Sequence, residues 1–114
     1  MKSRSRISAI IAITLLVATI AVSRNSSAAD TKPPVAIKID NFSFPETVTV
    51  PAGTEVTWTN QDDIPHTVVS DDKTTFKSPA LDTDEKFSFT FTKPGTYAYF
   101  CSIHPKMTAT IIVQ

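Results

Sequence analysis

The 114-residue sequence has one cysteine, two glycines, two histidines, two methionines and one tryptophan. Each scarcity excludes something. A single cysteine forms no internal disulfide, so this is no disulfide-stapled miniprotein. With Gly53 and Gly95 alone there is no glycine-rich phosphate loop. Any Ser-His-Asp grouping would have to recruit His66 or His104. Charge of one sign is also missing from part of the chain. Residues 1–29 contain Lys2, Arg4, Arg6 and Arg24 and no acid, leaving seven bases against eleven acids from residue 30 onward, a balance of −4. An acidic body without a basic patch cannot neutralise phosphates, which argues against nucleic-acid binding.

The basic leader runs into an uncharged apolar stretch from Ile7 to Ser23 and then Arg24-Asn25-Ser26-Ser27-Ala28-Ala29. This is the order of a signal peptide, with small residues at Ser27 and Ala29 before a cut that leaves Asp30 first. The other reading is a membrane anchor, but the apolar run lies at the short end of the roughly 17–25 residues that span a bilayer. Position 30 is not cysteine, so a thioether lipid anchor is not offered. The expectation is a signal peptide over 1–29 and a single soluble domain over 30–114. That domain would be exported, to the periplasm or beyond, and would be monomeric and free of the membrane after cleavage. Export also sharpens the question of Cys101: an unpaired thiol in an oxidising compartment is either buried or held by something.

From residue 35 the pattern is alternation of period two in short runs broken by turn residues. Expected strands cover Val35–Ile39, Thr47–Val50, Glu55–Thr59, His66–Ser70, Lys86–Thr92, Thr96–Phe100 and Thr108–Val113, with Pro51-Ala52-Gly53 and Lys93-Pro94-Gly95 as turns. Val35, Ile37 and Ile39, Val56 and Trp58, and Phe87, Phe89 and Phe91 face inward on this reading. A polar segment from Asp71 to Glu85 holds either a turn of helix or only loop. Seven short strands at this spacing predict an all-β fold, an antiparallel Greek-key β-sandwich. Asp62, Asp63, Asp71 and Asp72 read as solvated turns; the functional alternative is an acidic rim that steers a cationic partner.

Four side chains suit one soft metal: His66, Cys101, His104 and Met107. Three of them lie in Cys101-Ser102-Ile103-His104-Pro105-Lys106-Met107, between two expected strands, where a tight loop brings residues three apart towards one point. Pro105 stiffens that loop, and His66 follows Pro65 at the start of another strand. Two imidazoles and a thiolate with a weak thioether suit copper and its one-electron chemistry. They suit zinc poorly, and oxygen-seeking calcium or magnesium not at all.

Cys101-x-x-His104-x-x-Met107 after Gly95-Thr96-Tyr97-Ala98-Tyr99-Phe100, with Pro65-His66 upstream and Val50-Pro51-Ala52-Gly53-Thr54, resembles the cupredoxins. Within them the short spacing is most similar to amicyanin, plastocyanins having a longer gap. The resemblance covers nearly all of residues 35–114. It implies one type 1 blue copper ion with His66, Cys101 and His104 equatorial and Met107 axial. It also implies electron exit at the His104 edge, inside an apolar patch of Ile64, Pro65, Ile103 and Pro105 where redox protein partners dock. The chain departs from the pattern at Thr67, where family members commonly carry Asn. Its expected N-terminus is shorter than amicyanin's, so amicyanin's amine-dehydrogenase partner is not carried over. The expected function is single-electron transfer without enzymatic activity. The alternatives are a copper transport or storage protein, and a metal-free sandwich in which Cys101 makes an intermolecular disulfide.

Overall fold

The computed structural model describes residues 32–114, so the reading of residues 1–29 lies outside the described residues. Seven strands follow one another: β1 (Val35–Ile39), β2 (Thr47–Val50), β3 (Thr54–Asn60), β4 (Val69–Ser70), β5 (Lys86–Phe91), β6 (Gly95–Phe100) and β7 (Thr108–Val113). They form a three-stranded sheet in the order β1-β3-β5 and a four-stranded sheet in the order β2-β7-β6-β4. No helix occurs among the described residues.

The alternation seen in the sequence is the burial pattern of the strands. In β3, Thr54, Val56, Trp58 and Asn60 are buried while Glu55 is exposed; in β7, Ala109, Ile111 and Val113 point inward. Phe91 is buried, and Phe87 and Phe89 are partly buried against the same core. Trp58 stands at its centre, with the rings of Phe76, Phe87, Phe91 and Tyr99 around it at centroid distances of 5.6–6.3 Å. Its indole N–H donates to the Tyr99 hydroxyl at 3.2 Å. Burial pushes the Tyr99 phenol up to about 12, against the opposing effect of that hydrogen bond. The Pro51-Ala52-Gly53 turn forms as expected, and Gly53 takes a φ of 91°, open to a residue without Cβ.

The sandwich stands, but not all of its pairings are antiparallel. β1 runs parallel to β3 and β2 parallel to β7, whereas β3–β5, β4–β6 and β6–β7 are antiparallel. Alternation fixes which face of a strand is buried and leaves its direction open. The expected strand from His66 shortens to Val69–Ser70 for a visible reason. The Thr67 N–H turns to the Cys101 sulfur and the Val68 N–H to the Ser78 hydroxyl, so neither joins a ladder. Residues 71–85 are loop packed on this strand. Phe76 and Leu81 enter the core, and His66 and Leu81 exchange backbone hydrogen bonds at 3.1 and 2.7 Å. Within that loop Asp72 accepts hydrogen bonds from Ser70 and from the backbone of Thr74 and Thr75, which hold its carboxyl well below the usual carboxylate range.

Candidate metal centre

The pairing of β6 with β7 brings Phe100 opposite Thr108, and the seven residues between must close a tight loop. The Cys101 N–H donates to the Met107 carbonyl at 3.0 Å and the Met107 N–H to the His104 carbonyl at 2.9 Å. Cys101 is fully buried, Met107 is buried and His104 is half-buried. Met107 lines the same open depression as His104, Ile103, Pro105, Lys106 and Phe42. The loop therefore gathers its three candidate ligands at one end of the sandwich.

His66 arrives from the other sheet by way of Asn60, a buried residue at the end of β3. The Asn60 amide donates to the carbonyls of Ile64 and Leu81, each at 2.8 Å, and its carbonyl oxygen accepts from the Asp62 N–H at 2.9 Å. These bonds set the course of residues 60–66. Asp62 then accepts from Nε2 of the fully buried His66 at 2.7 Å. Burial acts to raise the Asp62 pKa, but the N–H groups of Phe42 and Asn41 and the His66 ring outweigh it and hold the carboxyl below its ordinary value. An ionised acceptor at Nε2 holds the ring with Nδ1 turned towards the Cys101 sulfur, the nitrogen that a metal would take.

Nδ1 of His66 and Nδ1 of His104 each lie 3.8 Å from the Cys101 sulfur, and the donor atoms of these three residues are all within 4.8 Å of one another. Metal bonds of about 2.0 Å to nitrogen and about 2.3 Å to sulfur, meeting at a trigonal angle, would place N and S about 3.7 Å apart. The donor set and its spacing fit a trigonal metal. His66, Cys101, His104 and Met107 form a candidate type 1 copper site.

The sulfur sits in a field that favours the thiolate. Burial alone would raise its pKa. The backbone N–H groups of Thr67 and His104 and the two imidazoles reverse this and bring it from 9.0 down to about 6. A depressed pKa contributes stability that is complete above the unfolded value and lost as pH falls through the folded one. The metal-free protein should therefore gain stability between about pH 6 and 9. Thermal unfolding across that range, followed beside thiolate absorbance, measures it. Cys101→Ser should remove that slope, and a wild-type profile identical to the variant's would contradict the assignment.

Thr67 occupies the position where the resemblance led one to expect Asn. Its backbone N–H points to the Cys101 sulfur at 3.4 Å. Its hydroxyl oxygen accepts from the Ser102 N–H at 2.7 Å, shares a second bond with the Ser102 hydroxyl at 2.7 Å and lies 3.8 Å from the sulfur. A hydroxyl thus ties together the two segments that carry the candidate ligands.

Three residues at this end carried no signal in the sequence. Asn60 and Phe42 fall outside the expected strands, and Asp62 reads as part of a solvated turn. Asp62 is in fact engaged by His66 and by the N–H groups of Asn41 and Phe42, which corrects the solvated-turn reading for that residue. Asn41 and Phe42 both have positive φ, 53° and 55°, a conformation costing about 1–3 kcal/mol per non-glycine residue.

A family model for a cupredoxin-like domain matches residues 11–113. The chain is 38% identical over 80 residues to amicyanin-alpha of Methylorubrum extorquens, a match covering 64% of this chain and 64% of that one. It is 37% identical over 82 residues to the chloroplastic plastocyanin of Tetradesmus obliquus, covering 61% of this chain and 57% of the other. Among solved structures, the copper-containing nitrite reductase of Thermus scotoductus superposes with a TM-score of 0.67 at 36% identity, over 72% of this chain and 22% of the reductase. The matches thus span less than two thirds of each of these relatives.

Proposed function

The chain belongs to the cupredoxin-like family, and from that premise we propose that it is an exported blue copper protein that carries single electrons between redox partners. The observation that carries this reading is the buried sulfur with an imidazole nitrogen on each of two sides at 3.8 Å. His66, Cys101 and His104, with Met107 as a weak fourth donor, would hold a copper ion, which would supply one-electron chemistry between Cu(I) and Cu(II). Asp62 holds His66 and the Thr67 N–H faces the sulfur, so these donors stand in place before any metal arrives.

His104 is the ligand whose edge approaches solvent, and the surface around it is apolar. Ile103 is 45% exposed, Phe42 50% exposed, Pro65 and Pro105 are exposed and Ile64 is half-buried. This is the face on which a redox protein would dock. Four donors leave no position for a substrate, which favours a carrier over an enzyme, and the reductase match covers only 22% of that longer chain. The signal peptide over 1–29, cleavage before Asp30, a periplasmic or otherwise exported destination and a monomeric domain free of the membrane belong to the same proposal.

Addition of Cu(II) to the purified protein, followed by visible and electron paramagnetic resonance spectra, is the test. The expected result is an intense blue thiolate-to-copper band with a narrow copper hyperfine splitting. A colourless complex would turn the reading towards copper transport or storage. Thr67 gives a finer prediction. Thr67→Ala removes the acceptor of the Ser102 N–H, at a cost of about 0.5–1.5 kcal/mol, and loosens the N–H aimed at the sulfur. A thiolate relieved of a hydrogen bond donates more strongly and favours Cu(II), so the reduction potential should fall. Thr67→Asn, which restores an acceptor, should recover much of both, as voltammetry and thermal unfolding would show.

A further inference from the structure

The turn between β1 and β2 is Asp40-Asn41-Phe42-Ser43, closed by reciprocal backbone bonds between Asp40 and Ser43 at 3.1 and 3.2 Å. Positive φ at both central residues is the pattern of a type I′ turn, whose second central position is ordinarily glycine. Here it is phenylalanine, with half of its surface in water. Neither the backbone nor burial accounts for that choice. The contacts of the ring do. Phe42 meets His66 edge-on with centroids 5.6 Å apart and an interplanar angle of 85°, and meets His104 at 5.4 Å and 82°. The two imidazoles are themselves 5.1 Å apart. Edge-to-face rings at these distances attract one another.

The turn is fastened to the same site. Oδ1 of Asp62 accepts from the Asn41 N–H at 2.8 Å, and Oδ2 accepts from the Phe42 N–H at 2.9 Å and from Nε2 of His66 at 2.7 Å. One carboxylate thus joins a strained turn to an imidazole that the copper reading makes a ligand. Resting on that reading, we propose that Asp62 and Phe42 are positioning residues of the metal centre. The carboxylate fixes the His66 ring and the turn as one unit, and the turn holds Phe42 across both imidazoles, so that His104 keeps its place. His66 is already held by burial and by Asp62. His104 rides on the more exposed loop, and the aromatic rings against it among the described residues are those of Phe42 and His66. Without Phe42 that imidazole is free to swing towards water.

Two properties separate this role from ordinary packing. Phe42→Gly relieves the positive φ, so the metal-free protein should unfold at the wild-type temperature or above it. The same variant should lose Cu(I) to a competing chelator roughly 10–100-fold faster, the usual range when a residue that orients a ligand is removed. Phe42→Leu, which keeps bulk and loses the ring, should also lose metal faster. Asp62→Asn should release the Asn41 and Phe42 amides to hydrogen exchange and speed copper loss by a similar factor, with partial rescue in Asp62→Glu. Nuclear magnetic resonance of the metal-free protein supplies a readout independent of copper, because the imidazole C–H resonances of His104 should shift and broaden in Phe42→Gly. Unmoved His104 resonances would overturn the proposal, as would wild-type release rates or faster release that merely tracks lost stability of the metal-free fold. A wild-type protein that takes up no copper would overturn the copper reading itself, and the His104 resonances then decide the positioning role alone.

Discussion

Cys101→Ser should abolish the blue band altogether. The intense absorption of such a site is a charge transfer from thiolate to copper, and it needs a sulfur that is ionised and soft. Serine offers a hydroxyl that stays protonated near neutral pH and a hard oxygen in place of a polarisable sulfur. The hyperfine splitting should widen to that of ordinary tetragonal Cu(II), and copper affinity should fall. The fold should survive. Cys101 is 0% exposed, and a slightly smaller side chain at the same point still accepts from the Thr67 N–H, at a cost on the order of 1 kcal/mol. Circular dichroism would show the variant folded while the spectrum shows it colourless, and a persistent blue band would remove Cys101 from the ligand set. The same burial bears on the disulfide alternative. An intermolecular bond needs a sulfur that a second chain reaches, and this one is enclosed, so wild-type protein should run as a monomer on non-reducing electrophoresis.

The largest loss of stability should come from Trp58→Ala. Trp58 is 0% exposed and is packed by Phe76, Phe87, Phe91 and Tyr99. Deleting a buried tryptophan costs about 3–5 kcal/mol. The buried Tyr99 hydroxyl also loses the N–H that donates to it. Against a total of about 5–15 kcal/mol for a small domain, that removes a large part of the margin. At about 4–8 °C per kcal/mol for a domain of this size, the melting temperature should fall by roughly 12–40 °C. Trp58→Phe keeps a ring and loses the N–H, so it should fall much less. Thermal unfolding of the metal-free proteins measures both, and a drop of only a few degrees in Trp58→Ala would mean that the core is not organised around this residue.

Much of this architecture is legible from neighbours in sequence. Strand positions follow from alternation, the Gly53 turn from its residues, and the loop from Cys101 to Met107 from a spacing that only a tight connection between paired strands explains. What escapes are features made by contacts between distant residues. The parallel partners of β1 and β2 depend on crossovers between sheets, which the period of a strand does not record. Phe76 and Leu81 look like isolated apolar residues in a polar stretch until that stretch folds back over β4. Asp62 sits in a run of acids that resembles any solvated turn. Its partners Asn41 and Phe42 lie 21 and 20 residues upstream, too far for a local pattern. Thr67 is the instructive middle case. The sequence marks it as a departure from the family pattern, and only the fold shows that its hydroxyl takes up the task of linking residue 67 to Ser102.

The four candidate ligands are unevenly distributed along the chain: three share one seven-residue loop, and His66 belongs to a segment 35 residues before Cys101. An unfolded chain therefore already offers a thiol, an imidazole and a thioether close together, and a soft cation has some affinity for it before any sheet exists. A ligand stabilises the native state by the difference between its two affinities, so what couples to folding is the gain from His66, from the sulfur's lowered pKa and from the fixed loop. Metal-dependent melting thus reports less than the strength of the whole site, and an His66→Ala variant would bind metal while drawing less stability from it.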